Sequence, residues 1–248
     1  MDKVIVITGA SSGIGAALAE LLGARGASVV LVARREHALR EVAARCGERT
    51  FVVTADVGRR DDVRRVVRDA LAHFGRIDVW VNNAGQGITR MPSQLTDEDV
   101  DEMIRANVKS ALYGMQEVIP HFIARGEGHV INISSMLGRV PFAVMRSAYN
   151  GAKHFLNALT ANFRAEFEES QPGIRFSLVS PGVVRTDFGL RARHGGPDSR
   201  QLPGSQSAEE VAAVIAGVVE SRKPDVYTRN GAREMVLKYY GSVGEDPS

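Results

Sequence analysis

The chain has 248 residues, 44% hydrophobic and 24% charged, with 25 glycines and a single cysteine, Cys46. This composition excludes a disordered, collagenous or coiled-coil chain, and a lone thiol excludes an intrachain disulfide and a cysteine-based zinc site. A total of 31 Lys and Arg against 29 Asp and Glu leaves a formal charge of +2 spread along the chain, which argues against a nucleic-acid partner.

No apolar run reaches the ~18 residues of a transmembrane helix. Met1-Asp2-Lys3 leads straight into an apolar strand without a signal-peptide layout, so a cytoplasmic protein with no membrane partner is expected.

The first strand is read at Val4–Thr8. It runs into Gly9-Ala10-Ser11-Ser12-Gly13-Ile14-Gly15 and a helix over 14–25. Glycines between a strand and a helix let the backbone approach a pyrophosphate, whose charge the helix N-terminus favours. No Lys-Ser/Thr follows the last glycine, which argues against a P-loop. Strand two is Ser28–Ala33, followed by Arg34-Arg35 and a helix over 36–46. Strand three is Thr50–Thr54, with Asp56-Val57 after it and a helix over 60–74. Strand four, Asp78–Asn82, ends in Asn83-Ala84-Gly85.

Thr96-Asp97-Glu98-Asp99 has the form of a capping sequence and opens one long helix over 97–124 that contains Asn107. Strand five, His129–Ile133, ends in Ser134-Ser135, and a helix over 149–170 carries Tyr149 and Lys153. Strand six is Arg175–Val179, followed by Pro181-Gly182-Val183-Val184-Arg185-Thr186. A Gly/Pro/Arg-rich stretch over 189–206 is too long for a tight connection and reads as a lid loop. A second capping sequence, Ser207-Ala208-Glu209-Glu210, opens a helix over 208–221. Strand seven is Val226–Thr228, and the tail over 241–248 reads as flexible.

Most of these strands are continuously apolar, as strands buried on both faces must be. Strict β-α alternation predicts one α/β domain over 1–240, a doubly wound parallel sheet with helices on both faces. Tyr149 and Lys153 are four apart at the start of a helix, so their side chains emerge on one face. An ammonium nearby would lower the phenol's pKa from its usual ~10. Ser135 precedes Tyr149 by fourteen residues at the end of a buried strand, where active sites of open α/β sheets lie.

The loop Thr8-Gly9-Ala10-Ser11-Ser12-Gly13-Ile14-Gly15 resembles that of the short-chain dehydrogenase/reductase family, in its single-domain branch. Asp56-Val57, Asn82-Asn83-Ala84-Gly85, Ser135 with Tyr149-Asn150-Gly151-Ala152-Lys153, and Pro181 to Thr186 match further family motifs in the family's order. The resemblance implies a Rossmann-type sheet of seven strands in the order 3-2-1-4-5-6-7. It implies an oxidoreductase interconverting a carbonyl and a secondary alcohol with a pyridine nucleotide. Tyr149 is then the general acid or base, Ser135 polarises the carbonyl, Lys153 binds the nicotinamide ribose and tunes Tyr149, and Asn107 holds a water that relays protons. Ser135 is preferred over Ser134 because the family pattern is Ser-x-x-Gly, here Ser135 to Gly138.

By position, the resemblance also implies that Gly9, Ser11, Ser12, Gly13, Ile14 and Gly15 cradle the cofactor phosphates. Asp56 and Val57 meet the adenine, and Asn83, Ala84 and Gly85 line the adenine's ribose side. Pro181, Gly182, Val183 and Thr186 flank the nicotinamide. At the end of strand two an acid would bond the ribose 2′-hydroxyl of NAD, whereas arginine accommodates a 2′-phosphate. The chain has Arg34-Arg35 there, with Arg34 directly after the strand, so NADP(H) is expected over NAD(H), with Arg34 the stronger candidate.

Gln86, Met136, Leu137, Phe142, Met145 and Phe188 are expected to line a mostly apolar substrate site together with Val183. Arg191, Arg193 and His194 read as solvated lid residues. The six histidines include no ligand-spaced pair, so no metal is expected. A homotetramer, or failing that a homodimer, is implied through the two longest helices, with Leu112, Phe155, Leu159 and Phe163 on an uncovered face. Two alternatives are a non-catalytic dinucleotide-binding regulator and a methyltransferase. The second usually has an acid ending strand two, where this chain has Ala33-Arg34.

Overall fold

The computed structural model describes residues 1–244. Seven strands lie in the order β3-β2-β1-β4-β5-β6-β7: β1 Val4–Thr8, β2 Ser28–Ala33, β3 Thr50–Thr54, β4 Val79–Asn82, β5 Gly128–Ile133, β6 Ile174–Ser180 and β7 Asp225–Tyr227. Every adjacent pair is parallel. The chain order reverses between β1 and β4, and the crevice there opens at the carboxyl ends of the strands.

Side-chain alternation along the strands builds two cores. Ile5, Ile7, Val29 and Leu31 face α1 (Gly13–Ala24), α2 (Glu36–Cys46) and α7 (Ala208–Ser221), packing with Leu18, Leu22, Leu39, Val211 and Ile215. Val4, Val6, Val30 and Trp80 face the other way, toward Val63 and Val66 of α3 (Arg60–Phe74) and Phe122 of α5 (Ser110–Arg125). Phe167 of α6 (Ser147–Ser170) joins this second core. A third, small cluster of Ile88, Met103, Val108, Tyr149 and Ala152 lies under the carboxyl edge.

Both capping sequences form reciprocal boxes, Thr96 with Asp99 and Ser207 with Glu210. The single helix expected over 97–124 is instead α4 (Asp97–Ile104), a π-turn over Arg105–Lys109, and α5. Within the π-turn the Ser110 amide reaches back five residues to the Arg105 carbonyl. Such bulges are frequent at functional sites because they re-aim side chains. A further helix, α8 (Ala232–Tyr240), was not expected. It is held by tertiary contacts: Tyr239 stacks edge-on against Phe142, and the Tyr240 hydroxyl donates to the Arg139 carbonyl at 2.9 Å.

The 189–206 stretch lies against the molecule. Arg193 pairs with Ile88 in a short parallel bridge, and Ala192 and Ser199 are buried. The solvated role expected of its basic residues holds for Arg191, which is half exposed, and is corrected for Arg193 and His194. Arg193 and His194 turn inward onto the buried carboxylate of Asp99, while Arg191 pairs with Asp187. Of the apolar face expected on α5 and α6, Leu159 and Phe163 pack into the core and Phe155 stays 53% exposed. The expected tail lies partly outside the described residues.

Candidate active site

The glycine loop is wedged against the turn that follows β4. Thr8 Oγ1 accepts from the amides of Asn83 and Ala84, each at 3.0 Å, and Asn83 Nδ2 donates to the Thr8 carbonyl at 2.9 Å. A Cβ on Gly15 would fall 2.5 Å from the Gly9 carbonyl oxygen, so only hydrogen fits there. Gly13 has φ +56°, which favours glycine, and it faces the Thr186 methyl group. The loop after β6 therefore meets the loop after β1 across the crevice. A cavity of about 350 Å³ opens beside them, lined by Ser12, Gly13, Arg185 and Thr186, and stops short of Tyr149.

Helix α1 starts at Gly13 with no acidic residue in its first turn, and the Ser12 side chain does not cap it. Its amides and dipole are left for an anion. The Arg35 guanidinium reaches over this loop and donates from Nη2 to Ser11 Oγ at 3.0 Å and Ser12 Oγ at 3.2 Å. Arg34 is exposed and makes no such bond. Position directly after the strand pointed to Arg34; the side chain that reaches the loop is Arg35.

Asp56 and Val57 follow β3 on the same edge. The Asp56 carboxylate accepts from Arg105 Nη1 at 3.1 Å and from the Gly58 amide at 3.0 Å. Pro181 and Gly182 follow β6. The Pro181 carbonyl accepts from the Met136 amide at 2.7 Å, tying that turn to the one after β5.

Strand β5 delivers Ser134 and Ser135. Ser134 donates to Asn157 on α6, away from the crevice. Ser135 accepts from the Leu137 amide at 3.1 Å and faces the Tyr149 phenol. Burial pushes that phenol up to about 12, against smaller pulls from the Ser135 hydroxyl and the Arg146 charge. The lowering expected from the sequence counts the positive charge of an oxidised nicotinamide together with the ammonium; from the protein groups alone, desolvation dominates. Burial likewise brings Lys153 down to about 8. Its Nζ lies 5.6 Å from the Tyr149 ring centre and donates to the Ile133 carbonyl at 2.9 Å. An ammonium has three donors, so two remain for another partner.

Asn107, inside the π-turn, is buried and clamps Gln86. Its Nδ2 donates to the Gln86 carbonyl at 2.9 Å, and its Oδ1 accepts from the Gln86 amide at 3.2 Å. A Cβ on Gly85 would come within 2.8 Å of Asn107 Oδ1 and 3.5 Å of Lys153 Nζ, so both side chains border this turn. The Gly-rich cradle and the two open donors of Lys153 fit a dinucleotide with a ribose diol.

The expected substrate residues divide. Phe188 stands over Tyr149 with ring centres 5.7 Å apart, and Leu137 packs in the Tyr149 cluster. Met136 follows Ser135 in the same turn. Met145 is exposed at the rim, and its carbonyl accepts from the Arg90 amide at 2.9 Å. Phe142 packs its ring edge-on against Tyr239 at 5.6 Å and is otherwise exposed. Sequence reading also missed Arg146, although its spacing of three before Tyr149 on a helix start was a signal.

The profile of the short chain dehydrogenase family matches residues 3–195. The chain belongs to that family. It is an oxidoreductase acting on CH–OH or C=O groups. The chain is 35% identical over 243 residues to the uncharacterized oxidoreductase YxnA of Bacillus subtilis (strain 168), covering 95% of this chain and 68% of that one. It is 36% identical over 198 residues to an uncharacterized oxidoreductase of Staphylococcus epidermidis, covering 77% and 85%. Among solved structures, a short-chain dehydrogenase from Sphingobium yanoikuyae in complex with NADPH superposes with a TM-score of 0.82 at 29% identity, over 99% and 98% of the two chains. A short-chain dehydrogenase/reductase from Burkholderia phymatum in complex with NAD gives 0.88 at 24% identity, over 100% and 98%, a likeness of fold. Among the described residues no helix is long and apolar enough to cross a membrane.

Proposed function

We propose that this short-chain dehydrogenase interconverts a small carbonyl compound and its secondary alcohol, with Tyr149 moving the proton. The observation that carries this reading is the convergence of the Tyr149 phenol, the Ser135 hydroxyl and the Lys153 ammonium at the carboxyl edge, beside the glycine loop. A nicotinamide dinucleotide, when bound, supplies or takes up the hydride. Ser135 holds the carbonyl oxygen. Tyr149, protonated at neutral pH as phenols are, donates to that oxygen in reduction. Lys153 offers its two open donors to the ribose hydroxyls and places positive charge beside the phenol, favouring the phenolate that oxidation needs. Asn107 fixes the turn carrying Gly85 and Gln86 and shapes the path by which Lys153 exchanges protons with water. A dinucleotide-binding regulator has no use for this acid–base set.

NADP(H) is the preferred cofactor in this proposal. Arg35 over Ser11 and Ser12 supports it, because a planar guanidinium beside two hydroxyls suits a 2′-phosphate. Solved neighbours include complexes with NADP-type cofactors, such as the Sphingobium enzyme and a serine dehydrogenase complexed with NADP+, as well as complexes with NAD and NADH, so the preference rests on Arg35. The test is turnover of a panel of ketones by the wild-type protein and by Tyr149→Phe. The variant keeps its melting temperature and its NADPH affinity and loses about 10²- to 10⁴-fold in kcat. A variant retaining more than a tenth of wild-type turnover overturns the assignment. The cofactor reading fails if wild-type kcat/KM is higher with NADH than with NADPH.

A further inference from the structure

Arg146 lies at the head of α6, three residues before Tyr149. Its Nη1 donates to the Ile88 carbonyl at 3.0 Å. Among the described residues no carboxylate pairs with it, and its Nε–Nη2 edge meets no protein acceptor. The side chain is half-buried, and burial pulls its pKa down. The arginines around the 189–206 segment and the π-turn are matched: Arg90 and Arg193 with Asp99, Arg105 with Glu102 and Asp56, and Arg191 with Asp187.

Two glycines show what surrounds it. A Cβ on Gly87 would lie 2.9 Å from Arg146 Nη1 and 2.9 Å from the Phe188 ring, the ring that covers Tyr149. A Cβ on Gly196 would lie 3.0 Å from Arg146 Nη2 and 2.7 Å from Thr89 Oγ1. That Thr89 hydroxyl is itself buried without a hydrogen-bond partner. An unmatched guanidinium edge and an orphaned hydroxyl thus lie side by side under the 189–206 segment, next to the phenol.

We infer that Arg146, with Thr89, binds a carboxylate on the substrate, so that the preferred substrates are keto acids and hydroxy acids with the acid group a few bonds from the reacting carbon. The Nε–Nη2 edge presents two parallel N–H groups, the geometry a carboxylate accepts in bidentate fashion. Thr89 adds a third donor. The short helical spacing between Arg146 and Tyr149 keeps the carboxylate near the carbonyl. This rests on Tyr149 as the reacting group, and a binding measurement separates the two.

The test compares acetoacetate and levulinate with their methyl esters, in wild type, Arg146→Met and Arg146→Lys. The quantity read is the acid-to-ester ratio of kcat/KM. Any effect of the lost charge on Tyr149 itself cancels in this ratio, because both substrates use the same phenol. Wild type favours the acid by at least about tenfold, the lower end for a charge-assisted hydrogen bond. The ratio falls to near one in Arg146→Met, through KM for the acid. Arg146→Lys restores part of it.

Calorimetry on the NADP+-loaded protein with butyrate and butyramide needs no turnover. Wild type binds butyrate at least about tenfold more tightly than butyramide, and Arg146→Met binds both alike. A wild-type ratio near one, or an acid preference that survives Arg146→Met, overturns the inference while leaving the oxidoreductase reading intact. If no carbonyl compound is turned over, the reading of Tyr149 falls, and the butyrate comparison alone decides whether Arg146 is an acid site.

Discussion

Tyr149 and Lys153 are moved in opposite directions by the same cause. Burial disfavours charge, so it raises the phenol and lowers the ammonium. The consequence for Lys153 carries a sign. Its value of about 8 in the folded protein lies below the ordinary ~10.4. The ammonium is therefore present below pH ~8 and lost as pH rises through it. NADPH affinity should hold below that value and weaken above it, and Lys153→Met should abolish the pH dependence; fluorescence titration of bound NADPH between pH 6 and 10 checks both. At the end of β2, Arg35→Asp should cut kcat/KM with NADPH by at least about tenfold while sparing NADH, since it removes a charge-assisted contact. Arg34→Asp should do less. The residue types of this chemistry were legible in the sequence, because Tyr-x-x-x-Lys and the glycine loop are local patterns. Which of two adjacent arginines reaches Ser11 and Ser12 was not, because the choice depends on backbone direction at the head of α2. The shift of the phenol was not either, because burial is a property of the assembled site.

Beneath the site, a chain of buried amides ties the sheet to α6. Trp80 Nε1 donates to Asn82 Oδ1 at 2.7 Å, and Asn82 Nδ2 donates to Asn132 Oδ1 at 2.9 Å. Asn132 Nδ2 then donates to Thr160 Oγ1 at 2.8 Å. Asn82 and Asn132 are register partners on β4 and β5, which makes the bond possible. Gly114 of α5 lies so close to Trp80 and Asn82 that no side chain fits between them. Asn132→Ala removes one partner each from Asn82, which keeps the Ala111 carbonyl, and from Thr160, which keeps the Leu156 carbonyl, and should lower stability by about 1–3 kcal/mol. Chemical denaturation measures it, and the activity of the remaining folded protein should be nearly unchanged. The strands and most helices were legible because apolar runs and capping sequences are strong local signals. The π-turn around Asn107 was not, because one extra residue per turn lies within the scatter of a helical pattern. Helix α8 was missed because its anchors, Phe142 and Arg139, lie about a hundred residues away.

For the molecule as a whole, Asp99 is the point where three segments join. Its buried carboxylate accepts from Arg90 at 2.8 Å, from His194 at 2.8 Å and from Arg193, linking α4, the turn after β4 and the 189–206 segment. Burial would raise its pKa, but the hydrogen bonds from His194, Arg193 and Arg90 outweigh that and hold it well below the ordinary carboxylate range. The clasp is thus fully engaged above pH ~4 and weakens as pH falls below it. Asp99→Asn should speed amide exchange over 189–196 at neutral pH and raise KM more than it lowers kcat. Unchanged exchange would show that the segment is held by other contacts. The outer face of α6 leads to a second expectation. Phe155 stands out from a helix whose other large apolar residues, among them Leu159, Phe163 and Phe167, are packed, so light scattering at micromolar concentration should give a mass above that of the 26.8 kDa monomer. An all-parallel sheet also polarises the molecule. Every loop that carries the chemistry leaves the carboxyl ends of the strands, while the opposite rim holds only connections. At that rim Gly47 and Gly75 point into open space. A peptide tag, a reporter domain or a surface tether spliced in there would sit across the full length of the strands from Tyr149, so the fold comes with a built-in handle for immobilising the enzyme in working order.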